Sequence, residues 1–63
     1  MDFGKNLKRI RLENNLTQTD LAKKINVSLK TVSHWESGYT EPNLQMVQKI
    51  KEELKVSYDE LFE

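Results

Sequence analysis

Cysteine is absent from this chain of 63 residues, so neither disulfides nor a cysteine-based zinc site can hold it together. Histidine occurs once, as His34, and a single imidazole builds no metal centre without several distant carboxylates. With one proline and two glycines there is little to break regular structure, and stability has to come from packed helices. No apolar run approaches the roughly 20 residues of a membrane span, and no leader with a cleavage site is recognisable, so the expected location is the cytoplasm, away from membranes. Enzymatic signatures are missing too. There is no phosphate-cradling glycine loop, nucleophile–base pairing or metal-ligand cluster, and adjacent Glu52 and Glu53 would point about 100° apart on a helix as ordinary solvated charge. The sequence therefore points to a protein that is not an enzyme, with no cofactor, metal or small-molecule ligand evident.

What is present suits one small helical domain spanning residues 1–63, with 37% hydrophobic and 32% charged residues. Net charge is zero, but its distribution is not even. Residues 1–35 carry seven basic against three acidic side chains, a net +4, and residues 36–63 carry three against seven, a net −4. The chain is a charge dipole whose basic half has the sign that suits a polyanion.

That basic half contains the most patterned stretch, Thr17 to Gly38. Thr17 and Asp20 have the spacing of a capping box opening a helix with Leu21, Ala22 and Ile25. Asn26 tolerates the left-handed conformation that ends a helix, Val27 anchors the turn, and Ser28 caps a second helix carrying Val32 and Trp35. Two helices joined by so tight a turn form a helix-turn-helix unit, here 17–37, whose second helix turns its outer face to the major groove of DNA. Val32 and Trp35 would face inward. Leu29, Lys30, Ser33 and His34 then face outward, with Thr31 at the edge. Trp35 could instead stack on unpaired bases, but its spacing from Val32 favours the core.

The flanks read as support. Phe3, Leu7 and Ile10 form the stripe of a first helix over 3–14, with Arg11 at the border of the core, and Leu16 follows. Gly38 ends the third helix, at about 28–37, and Asn43 caps a fourth, 43–54, with Leu44, Val47, Ile50 and Leu54 inward. Ser57 and Glu60 form another capping box for a last helix, 57–62, with Leu61 inward. Tyr58 and Phe62, four apart, could make one apolar patch or simply cover the core.

In register, Leu16, Thr17, Gln18, Leu21, Ala22, Val27, Ser28, Thr31, Val32, Ser33, Trp35, Glu36, Gly38 and Pro42 match the pattern L-T-Q-x-x-L-A-x-x-x-x-V-S-x-x-T-[IV]-S-x-[IW]-E-x-G and its loop proline. The chain thus resembles the Cro and phage-repressor type of helix-turn-helix, the XRE family, from Phe3 to Phe62. The resemblance implies an all-α, five-helix, lambda-repressor-like fold. It implies DNA base reading by Leu29, Lys30, Ser33 and His34, phosphate contacts by Gln18, Thr31 and Ser37, and an interior ion pair of Arg11 with Glu36. The implied partner is a double-stranded DNA operator, bound by a bacterial or phage repressor acting as a weak homodimer. The alternative is a protein-binding module, antitoxin-like or a regulatory partner, built on the same fold. Some positions depart from the family's habit: Asn26 and Lys55 stand where glycine is common, Lys51 and Glu53 where small alanines are common, and Tyr39, Thr40 and Glu41 replace a loop that is often basic.

Overall fold

The first amides of a helix have no partner within it, and each helix of this chain begins beside a side chain that supplies one. The computed structural model describes residues 2–63. It contains α1 (Phe3–Glu13), α2 (Gln18–Lys24), α3 (Leu29–Ser37), α4 (Leu44–Leu54) and α5 (Tyr58–Phe62), with no strand among the described residues. Asp2, Thr17, Ser28, Asn43 and Ser57 each accept from the amide three residues on. At Thr17 and Ser57 the bond is returned: the Asp20 and Glu60 carboxylates accept from the cap's own amide, both at 2.9 Å. All five helices lie within a residue of where the sequence puts them: α2 to α5 start just after the expected cap, and α1 and α2 end at Glu13 and Lys24, one residue early.

Four helices also end alike. Asn15, Asn26, Gly38 and Lys55 take φ of 59°, 60°, 84° and 57°, the left-handed conformation that turns the chain off the helix axis. The amide after each bonds back to a carbonyl five residues earlier: Leu16 to Arg11, Val27 to Ala22, Tyr39 to His34 and Val56 to Lys51. Leu16, Val27 and Val56 then fold onto the core, so the same device closes a helix and adds an apolar side chain to the interior. Tyr39 does not.

The core is Phe3, Leu7, Ile10, Leu21, Ala22, Ile25, Val32, Trp35, Val47, Ile50, Leu54 and Leu61. Here α3 packs against both α1 and α2, and α5 packs on α1, where the Asn6 amide donates to the Leu61 carbonyl at 2.9 Å. One helix crossing is unusually close. A Cβ on Gly4 would lie 2.6 Å from the carbonyl oxygens of both Trp35 and Glu36, so α1 can rest on the end of α3 only because position 4 has none.

Leu44 corrects the sequence expectation. Periodicity places it with Val47, Ile50 and Leu54, yet it is 73% exposed. It is the first residue after the Asn43 cap, and Met46 packs on the interior from the same turn instead.

Candidate nucleic-acid interface

The turn from α2 to α3 is set by Asn26 in the left-handed region and by the Val27 amide bonding to Ala22 at 2.9 Å. With Val27 pinned, α3 enters at a fixed angle and buries Val32 and Trp35 against the rest of the chain. Trp35 is 4% exposed, which removes it as a stacking platform for bases. On the other side of α3, Leu29 and Lys30 are exposed while Thr31, Ser33 and His34 are half-buried. The four side chains expected to read bases therefore belong to one short helix whose opposite face is committed to the core.

Three further residues expected at the phosphates lie around that helix, each already engaged. The Thr31 hydroxyl lies 2.9 Å from that of Ser28, and Ser37 Oγ donates to the His34 carbonyl at 3.1 Å. Gln18, the first residue of α2, donates from its amide to Glu36 Oε1 at 3.0 Å. Glu36 also takes two bonds from Arg11, Nε to Oε2 at 2.7 Å and Nη2 to Oε1 at 3.1 Å, while Arg11 Nη1 donates to the Leu16 carbonyl at 2.8 Å. The ion-pair side chains are only 8% and 4% exposed. A desolvated carboxylate needs such saturation, because an unpaired buried charge costs far more than a pair gains. The structure thus joins residues that the sequence assigned to separate jobs: the Glu36 carboxylate binds Arg11 of α1 and Gln18 of α2 to the end of α3, and Arg11 in turn holds the approach to α2 through the Leu16 carbonyl.

The electrostatics of the entry to α2 follow from its cap. The Asp20 carboxyl is held below the usual aspartate range, first by the Thr17 amide it accepts from, then by the Thr17 hydroxyl and the charge of Lys23.

One neighbour of the outward face was not legible in advance. The Tyr39 ring stands edge-on to the His34 ring, with centroids 4.8 Å apart and planes at 64°. The available signal was positional: an apolar residue directly after a left-handed helix terminus folds back toward the last turn. Among the described residues no group of three or more His, Asp or Glu side chains could hold a metal, and no helix is long and apolar enough to cross a membrane.

Comparison with known proteins agrees with this geometry. Residues 7–61 match a family model described as helix-turn-helix. The chain is 39% identical over 61 residues to the HTH-type transcriptional activator BcrR of Enterococcus faecalis, an alignment covering 97% of this chain and 30% of that protein. It is 41% identical over 56 residues to an uncharacterized HTH-type transcriptional regulator of Methanocaldococcus jannaschii, covering 89% of this chain and 85% of the relative. Multiprotein-bridging factor 1 of Debaryomyces hansenii is 39% identical over 56 residues, with 89% of this chain and 37% of that protein covered. The chain therefore spans about a third of the length of two of these relatives and most of the third.

Proposed function

The chain belongs to the helix-turn-helix family matched across residues 7–61, and on that premise we propose that it binds double-stranded DNA sequence-specifically and represses transcription by occupying an operator. The observation that carries this reading is the division of α3: Val32 and Trp35 fully committed inward, Leu29, Lys30, Ser33 and His34 left outward on a helix of the width the major groove admits. Lys30 donates to guanine O6 and N7, Ser33 and His34 meet donors or acceptors, and Leu29 meets a thymine methyl. Gln18, Thr31 and Ser37 contact phosphates, fixing register without reading sequence. One relative is named as a transcriptional activator and another as a transcriptional regulator, which favours DNA-binding control of transcription without favouring repression over activation. Repression is the mode that asks least of the molecule, since an occupied operator blocks other proteins with the DNA-binding face alone.

Selection of bound sequences from a random duplex pool tests this. Lys30→Ala and His34→Ala should change the preferred sequence, each costing about 1–3 kcal/mol of discrimination at one base pair. Gln18→Ala should weaken all sites alike. Unchanged preferences in both α3 variants would refute the reading face. The second reading, a protein-binding module, is favoured by the 39% identity to a relative named as a multiprotein-bridging factor. Salt separates the two, because contacts to phosphates weaken steeply as salt rises and an apolar protein interface does not.

A further inference from the structure

Tyr39 is the exception among the residues that follow a left-handed helix terminus. Its counterparts Leu16, Val27 and Val56 fold onto the core, whereas Tyr39 is 77% exposed and has the His34 ring as its aromatic partner. Backbone geometry fixes where Tyr39 starts: Gly38 turns the chain at φ 84°, the Tyr39 amide bonds the His34 carbonyl at 2.9 Å, and the Gly38 amide bonds that of Trp35 at 3.2 Å. Thr40 N–H and Ser37 Oγ converge on the same His34 carbonyl, at 3.3 and 3.1 Å. The loop is thus tied to residue 34 by its backbone, and its one aromatic side chain is laid against the ring of that residue.

A histidine on the outward face of a helix is otherwise free to exchange rotamers. Each rotamer frozen on binding weakens the complex, so a side chain that exchanges rotamers discriminates its base pair less sharply than one held in place. An edge-to-face neighbour at 4.8 Å favours the rotamer that keeps the contact before DNA arrives, by about two- to tenfold.

We propose that Tyr39 is a positioning residue that holds the His34 ring in its reading orientation and thereby sets the sequence preference at the base pair His34 meets. The inference rests on the base-reading role given to His34 above. It also gives the departure of the 39–41 loop from basic character a function, specificity in place of phosphate affinity.

The test pairs a measurement without DNA with one that includes it. In the free protein, three-bond couplings should show one χ1 rotamer for His34 in the wild type and in Tyr39→Phe, and rotamer averaging in Tyr39→Ala. In selections from a random duplex pool, Tyr39→Ala should lose about two- to tenfold discrimination at the position altered by His34→Ala, and Tyr39→Phe should keep it. Tyr39→Ala should have no further effect in the His34→Ala background. Because Tyr39 is so exposed, the alanine variant should keep its helical circular dichroism, which separates misfolding from mispositioning. Averaged χ1 in the wild type overturns the positioning role and leaves the base reading standing. Loss of affinity for all sequences alike in Tyr39→Ala, persisting in the His34→Ala background, overturns it in favour of a phosphate contact by Tyr39. A single χ1 combined with an unchanged preference in His34→Ala removes the base reading itself, and the specificity role falls with it.

Discussion

A methyl group at position 4 would meet two carbonyl oxygens at 2.6 Å, and those oxygens belong to Trp35 and Glu36 at the end of α3. Alanine in a helix ordinarily gains about 0.5–1 kcal/mol over glycine, so the sign of Gly4→Ala depends on whether the neighbours can give way. They are backbone atoms of residues that are themselves held: Trp35 is buried and the Glu36 carboxylate is locked by Arg11. We expect Gly4→Ala to destabilise by about 1–3 kcal/mol, as overpacked interiors do. Urea unfolding reads this directly, and a midpoint at or above that of the wild type would contradict the close crossing. At the same scale, Asn26 and Lys55 occupy left-handed positions that glycine fills more easily. Asparagine tolerates the conformation through its short polar side chain. Lysine has no such help, and the bonds at Lys51 that close the turn around it offset that strain.

At the scale of elements, the helix starts were legible because cap chemistry is local: Thr17, Ser28, Asn43 and Ser57 announce helices within four residues of sequence. Periodicity did less well at Leu44. A spacing of three or four identifies which face of a helix is apolar, but not whether another element lies opposite its first turn. The α3 face was readable from Val32 and Trp35, whereas the edge contact of Tyr39 depends on the path of a turn and the reach of Gln18 to Glu36 on the packing of two helices. The capping box of α2 also makes stability depend on pH in a predictable direction. The Asp20 carboxyl titrates below its ordinary value because the Thr17 amide bonds its charged form, so its contribution is fully present above the unfolded value of about 3.9. It is lost as pH falls through the lower folded value. Melting temperatures of the wild type and Asp20→Asn should therefore differ by a constant amount above about pH 5 and converge in acid. A gap unchanged down to pH 2 would mean that the charge of Asp20 does not matter to the box.

For the whole molecule, the apolar surface on α5 is smaller than the sequence allowed. Phe62 is half-buried between Phe3, at 5.0 Å, and Tyr58, at 4.5 Å, so two of the three rings close the core and Tyr58, 52% exposed, forms the outer edge. We propose that this small edge carries the weak homodimer expected from the sequence, tightened when DNA half-sites about 34 Å apart hold two copies together. Sedimentation should show monomer at low concentration, partial dimer at high concentration and two copies per palindromic duplex. Tyr58→Ser should suppress the free dimer. One copy per full palindrome at saturation would exclude this surface as the interface.

The aromatic contact between Phe3 and Phe62 has a topological consequence. It brings residues near the two limits of the described chain side by side, reinforced by the bond from Asn6 to the Leu61 carbonyl. A short peptide linker could therefore join them into a circular polypeptide without disturbing any helix. Cyclisation restricts only the unfolded ensemble, and for a ring of this size the loss of chain entropy corresponds to roughly 4 kcal/mol of added stability. The backbone-cyclised protein should melt well above the linear one with its α3 surface unchanged.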